Sequence, residues 1–306
     1  MGTSDFAAPS LQALHQKHYE ITLVVTQPDR PAGRGLELKA SPVKKAALEL
    51  GLEVYQPEKI KTQEALEKLQ TIKPDIIVVA AYGQILPASV LRIPAVACLN
   101  VHGSILPRYR GAAPIHYAVM AGEKETGVTL MYMNEKMDEG DILLVRKTPI
   151  GPRETTGEVH DRLAVLGAEG LMESLELLAQ GKAPREPQNH SLATYAPSIK
   201  REQCQVRWST TAEQVVNQIR GLTPWPSAET RWNGMNLKLG TTVIRNLEPN
   251  PKKPGEILAV SKEGVLVNTG VGEVWIREIQ PPGKKKMKAY DFTLGHPTFK
   301  PGECLS

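Results

Sequence analysis

Residues 96–115 read VACLNVHGSILPRYRGAAPI, and this stretch decides the fold. An apolar run ends in Asn100 and His102, then breaks into Gly103, Pro107 and two arginines around Tyr109. Side chains of an extended strand alternate faces, so Asn100 and His102 point the same way and Val101 points the other. The run lacks a polar face, as a strand buried on both sides does. Open α/β sheets bind ligands outside the carboxyl ends of their strands, so an amide donor and an imidazole converge on one crevice. Gly103 permits a sharp turn or a close backbone approach, and Pro107 fixes the loop that follows. The plainer alternative is a strand-capping asparagine beside a satisfied boundary histidine.

Outward from this stretch, short β-branched runs alternate with helical patterns. ITLVVT (21–26), DIIVVAA (75–81) and GVTLMYM (127–133) read as further strands. SPVKKAALELG (41–51), QEALEKLQTI (63–72) and AAPIHYAVMAG (112–122) read as helices between them. Such alternation implies an α/β domain with a mostly parallel sheet covered by helices on both faces. A longer helix is expected from Thr155 to Gly181, on leucine spacing with threonine and glycine at its ends. These elements define a first domain over 1–183. Residues 184–205 are polar, proline-containing and aperiodic, as a linker is. A helix at 211–222 and strand-like runs such as GEILAVS, GVLVNTG and EVWIREIQ then make 206–306 a small β-rich domain, read as a barrel.

After GVTLMYM comes MDEGDI (137–142). If that strand lies beside VACLNV, its loop carries Asp138 towards His102. An amide, an imidazole and a carboxylate are the parts needed for acyl-type transfer: an oxyanion donor, a group that handles protons and a group that orients it. A solvated acidic turn is the bland reading of the same residues.

Composition narrows the classes. Hydrophobic residues at 41% and charged residues at 23% describe an ordinary globular chain, and 306 residues suggest two domains. Net charge is only +4, but basic residues gather at Arg30, Arg34, Lys39, Lys44 and Lys45, at Arg108 and Arg110, and at Lys284, Lys285, Lys286 and Lys288. Three such patches suit an extended polyanion, and each alone also suits a solvated surface. Cys98, Cys204 and Cys304 lie too far apart for a zinc motif or a disulfide framework, which favours a reducing compartment. No apolar run is long enough for a membrane span and no signal peptide opens the chain, so a cytoplasmic protein without membrane contact is expected. GRGLEL (33–38) fails the dinucleotide fingerprint at Leu38. No P-loop, no GxSxG elbow and no metal-ligand histidine spacing is present, and no metal is expected.

NVHGSILPRYRGAAPI, together with GTSDFAAPSL, TQPDRPAGRG, AAYGQILP, MDEGDI and TPWPSAET, closely resembles the methionyl-tRNA formyltransferases across nearly the whole chain. HGSxLP with a following Asp is shared by the wider formyltetrahydrofolate-using superfamily. The resemblance implies a Rossmann-like formyltransferase domain joined to an OB-like C-terminal domain that binds tRNA. It implies a monomer that moves a formyl group from 10-formyltetrahydrofolate, a substrate rather than a tightly bound cofactor, to the α-amine of methionine on initiator methionyl-tRNA, in support of translation initiation. Carried over by motif position, Asn100, His102 and Asp138 are the catalytic trio, and Ser104, Ile105, Leu106 and Pro107 line the folate site. The tRNA is assigned to Arg34, in the loop suited to the acceptor stem, and to Arg30, Lys39, Arg108, Arg110, Lys284, Lys285 and Lys286. Two departures stand out. The family's first apolar strand has no counterpart before Met1-Gly2-Thr3, so apolar residues restored upstream should raise the melting temperature. EKMDEGD also differs from the family pattern just before Asp138, which bears on the conformation of that loop.

Three alternatives remain at this point. A nucleotide-sugar formyltransferase shares the donor site and trio without needing the basic first loop. Glycinamide ribonucleotide formyltransferase lacks a comparable second domain. A non-catalytic tRNA-binding protein has no need of all three residues of the trio.

Overall fold

The computed structural model describes residues 1–32 and 37–306. The chain divides into two compact units, the first formed by Met1–Pro114, Thr126–Thr148 and His160–Ala196.

In the first unit the apolar runs become strands, those at 21–26 and 75–81 shorter than their sequences suggest. Of 21–26 only β1, Val24–Val25, is paired; β2 (Arg30–Ala32) and β3 (Glu37–Lys39) form an antiparallel hairpin, and β4 (Val54–Tyr55) lies parallel to β1. The main sheet runs β5 (Ile76–Val79), β6 (Ala97–His102), β7 (Glu125–Tyr132) and β8 (Ile142–Pro149). Pairing is parallel between β5 and β6 and turns antiparallel at β7, where Asn100 sits opposite Met131 and His102 opposite Thr129. Met1 and Gly2 lie between β1 and β5: Gly2 donates its N–H to the Val25 carbonyl, and Ala80 donates to the Met1 carbonyl. A cavity of about 580 Å³ continues that line, walled by Leu11, Leu14, Leu23, Ile76 and Val78 among others.

Helices form where capping residues and apolar spacing agree. Ser41 caps the helix Pro42–Glu49 by accepting from the Lys44 N–H, and Thr62 caps Gln63–Ile72 through the Ala65 N–H. Leu69, Ile77, Val79, Val90 and Cys98 join one buried core on this side of the sheet. The long helix Thr156–Ala179 covers Val101, the residue facing away from Asn100 and His102. It approaches through glycines: a Cβ on Gly167 would stand 2.8 Å from Val101 Cγ1, and one on Gly170 would stand 2.9 Å from Leu130 Cδ2. Small residues on one helix face therefore seat the helix tightly on β6 and β7 and hold those strands in place.

The second unit comprises Ile115–Glu125, Pro149–Val159 and Pro197–Ser306. Its helix Ala212–Gly221 opens with a capping box between Thr211 and Gln214. Eight short strands follow: β9 (Ala228–Trp232), β10 (Met235–Leu239), β11 (Thr242–Asn246), β12 (Ile257–Ser261), β13 (Gly264–Asn268), β14 (Glu273–Ile276), β15 (Glu278–Gln280) and β16 (Met287–Lys288). They make two four-stranded sheets, ordered β16-β15-β10-β9 and β11-β14-β13-β12, around a single core that includes Trp208, Val215, Leu237, Val267 and Phe292. The run EVWIREIQ, read as one strand, is divided between the two sheets at Arg277.

Candidate active site

Strand β6 delivers Asn100 and His102 to one side of its carboxyl end, as alternation requires, and the loop after β7 brings Asp138 to both. Asn100 Nδ2 donates to Asp138 Oδ1 at 3.3 Å, and His102 Nδ1 lies 3.6 Å from Asp138 Oδ2. The other ring nitrogen, Nε2, is 3.0 Å from the carbonyl of Tyr109. His102 is 6% exposed, with one ring nitrogen bonded to a backbone carbonyl and the other facing the Asp138 carboxylate, so its ring plane is restricted. The Gly111 N–H donates to Asp138 Oδ2 at 2.8 Å, giving the carboxylate a backbone partner as well.

Two non-glycine residues at this site have left-handed backbone, Tyr109 at φ 61° and Asp138 at φ 54°. Such conformations cost about 1–3 kcal/mol each and persist where the surroundings over-determine them. Here the strained residues supply the Tyr109 carbonyl and the Asp138 carboxylate that flank the imidazole. Gly140 closes the loop against β7: a Cβ there would fall 1.7 Å from the Tyr132 carbonyl oxygen, which only glycine avoids.

The loop 103–111 is built around its own polar groups. Ser104 is fully buried, its Oγ donating to the Arg108 carbonyl at 2.6 Å, while Thr129 Oγ1 donates to the Ser104 carbonyl and accepts the Leu106 N–H. Leu106 is also buried, so among Ser104, Ile105, Leu106 and Pro107 the partly exposed members are Ile105 and Pro107. The segment 186–196, linker-like in composition, runs alongside this loop. Thr194 Oγ1 accepts the Tyr109 N–H, the Thr194 carbonyl accepts the Arg110 N–H, and Ala196 exchanges backbone bonds with Arg110 and Ala113.

Arg108 and Arg110, assigned together to tRNA, have opposite fates. Arg108 is exposed, with its guanidinium 5.1 Å from the centre of the Tyr109 ring. Arg110 is 1% exposed and is held by Gln188 Oε1, by His190 Nδ1 at 3.0 Å and by Glu139 Oε1 at 3.2 Å. This corrects the assignment of Arg110: a guanidinium withdrawn from solvent and committed to three side chains does not meet a phosphate. Arg30 and Lys39 are exposed on the β2–β3 hairpin, Arg30 in an ion pair with Glu58 at 2.8 Å, and Arg34 lies outside the described residues. Lys284, Lys285 and Lys286 are exposed between β15 and β16. Gln188, Thr194 and Gly111 belong to the site's framework and were missed in the sequence, because a lone glutamine or threonine in a polar segment carries no periodicity.

Residues 1–175 match the formyl transferase family model, and residues 198–297 match its C-terminal domain model. The chain is 50% identical to the methionyl-tRNA formyltransferase of Moorella thermoacetica, an alignment covering 100% of this chain and 97% of that one. It belongs to the methionyl-tRNA formyltransferase family. The Bacillus subtilis methionyl-tRNA formyltransferase is 48% identical over 96% of this chain and 93% of its own length. Among solved structures, an N-formyltransferase from Helicobacter canadensis, in complex with folinic acid and dTDP-3-aminofucose, superposes with a TM-score of 0.68 at 17% identity, covering 92% of this chain and 97% of that chain. Aquifex aeolicus HypX, in complex with tetrahydrofolic acid, gives 0.60 at 23% identity over 80% of this chain and 43% of that one. These last two likenesses show the fold; the formyltransferase assignment rests on the family models and the full-length relatives. Among the described residues no helix is long and apolar enough to cross a membrane.

Proposed function

We propose that Asn100, His102 and Asp138 carry the formyl transfer for which this family is named. The reaction moves the formyl group of 10-formyltetrahydrofolate to the α-amine of methionine on initiator methionyl-tRNA, in support of translation initiation. The observation that supports the trio most strongly is the Asp138 carboxylate, which has one oxygen on the Asn100 amide and the other beside the His102 ring and the Gly111 N–H.

The amine attacks the formyl carbon and converts the carbonyl oxygen to an oxyanion. The Asn100 amide and the His102 ring lie on one side of the strand end; each already meets a protein acceptor, Asp138 for Asn100 and the Tyr109 carbonyl for His102 Nε2, and each turns a donor to the oxyanion as charge develops. Asp138 keeps His102 in orientation and, directly or through a water, is placed to take the proton that the attacking amine must lose. The C–N bond to the folate then breaks, and its nitrogen recovers a proton.

The folate lies along the Ser104–Pro107 loop in this reading, against Ile105 and Pro107, with Ser104 and Leu106 shaping the loop from within. The tRNA acceptor end is met by Arg108, by Arg30 and Lys39 on β2 and β3, and by Arg34, and Lys284, Lys285 and Lys286 add phosphate contacts. The protein acts as a cytoplasmic monomer.

His102→Ala tests the chemistry. Its kcat is expected to fall by about 10²–10³-fold, the usual loss for one oxyanion donor, with affinity for initiator tRNA retained. A variant with unaltered kcat contradicts the role.

A further inference from the structure

We propose that Gln188, locked in place by Arg110, is a positioning residue that holds the Asp138 loop in its catalytic conformation. The inference rests on Asp138 acting as described above, and it names what keeps that residue in a strained turn.

The side-chain amide of Gln188 is fully committed. Nε2 donates to the Asp138 carbonyl at 2.9 Å and to the Gly140 carbonyl at 2.8 Å, so both amide hydrogens fall on the loop that carries the catalytic carboxylate. Oε1 accepts from Arg110 Nε at 3.2 Å and from Nη2 at 2.7 Å. A guanidinium has only donors, so Arg110 decides which end of the amide faces it and therefore aims the NH₂ group at the loop. Arg110 also reaches Glu139 Oε1, so the three consecutive residues Asp138, Glu139 and Gly140 are each held by this pair.

Burial gives these bonds weight. Gln188 is 5% exposed and Arg110 1%, and an unmade hydrogen bond in such surroundings leaves a desolvated polar group behind. Asp138 at φ 54° needs an external hold, and the two carbonyls that Gln188 grips are its own and that of Gly140, two residues on. The neighbour of Arg110, Gly111, gives its N–H to the Asp138 carboxylate, so one short stretch of chain fixes the loop both directly and through Gln188. Without the grip the carboxylate drifts out of alignment with His102 and Asn100, although every group proposed to meet a substrate is still present.

The test uses the full chain and reads kcat and KM for both substrates in Gln188→Ala, Asp138→Asn and the double variant. Gln188→Ala is expected to lower kcat about 10- to 100-fold, the scale of a misplacement near 1 Å, with both KM values within about twofold. In the Asp138→Asn background the same substitution should cost about twofold or less, because a residue acting through Asp138 has nothing left to position. An unchanged kcat in Gln188→Ala, a loss confined to KM, or a full loss repeated on top of Asp138→Asn overturns the inference. Wild-type rate in Asp138→Asn contradicts the trio itself and is a separate result. If Gln188→Ala does not fold, Arg110→Lys keeps the charge opposite Glu139 while removing the two-pronged contact to Gln188. The same coupling to Asp138→Asn is then expected, and full additivity overturns the inference.

Discussion

At the carboxyl end of β6, Arg110 is 1% exposed and spends its guanidinium on Gln188, Glu139 and His190. In the hairpin of β15 and β16, Lys284, Lys285 and Lys286 stand exposed, with Lys286 Nζ 3.6 Å from Glu278. Both are basic runs in the sequence. The first uses charge to set geometry, inside a network whose members cannot move independently. The second offers charge to solvent, where salt screens it and a polyanion displaces counterions. Geometry should therefore appear in kcat and be nearly indifferent to salt, and surface charge should appear in tRNA affinity and vary steeply with it.

The sharpest break between the two regions is expected at Asn100. Asn100→Ala should reduce single-turnover formyl transfer about 10²–10³-fold, by the same amount at low and at moderate salt. A loss that varies with salt would place Asn100 with the surface charges instead. Gly140→Ala comes next. Its methyl cannot coexist with the Tyr132 carbonyl at 1.7 Å, so the loop must shift, and kcat should fall while tRNA binding, measured by filter retention, holds.

On the other side of the comparison, replacing Lys284, Lys285 and Lys286 together by alanine should leave kcat unchanged and weaken tRNA binding. The slope of log affinity against log salt should shrink by about 0.7 to 0.9 for each phosphate no longer neutralised. Arg108→Ala should act alike but more weakly, reducing that slope by about one. Arg108 sharpens the contrast most directly, since it lies two residues from Arg110 in the same loop.

Thiol chemistry supplies the smallest effect. Cys98 lies on β6, and burial pushes its thiol up to about 12, whereas Cys304 is exposed. Because the thiolate is the reactive form, iodoacetamide at pH 8 should label Cys304 well before Cys98 in the folded chain, as peptide mapping would report. Equal labelling would mean that the site strand opens readily.

How much of this was legible in the sequence follows from which interactions carry a period. Alternation along β6 placed Asn100 and His102 on one side, because side-chain direction follows from strand geometry; that the loop after β7 reaches them is conditional on β7 lying beside β6, and the pairing of Asn100 with Met131 and of His102 with Thr129 meets that condition. The helices at 42–49 and 63–72 matched their caps and spacing. The run 21–26 yielded only two paired residues, since β character does not tell whether a neighbouring strand is there to bond. Arg108 and Arg110 are indistinguishable as letters, and only the loop's turn at Tyr109 separates exposed from buried. Gln188 was invisible for a similar reason: its role depends on two carbonyls about 50 positions away, and backbone groups leave no mark in a sequence.

The measurement that bears most directly on the account is transfer of labelled formyl from 10-formyltetrahydrofolate to methionine on initiator tRNA, with elongator methionyl-tRNA as control. The account predicts label on the initiator alone. Label on neither, or equal label on both, would contradict it.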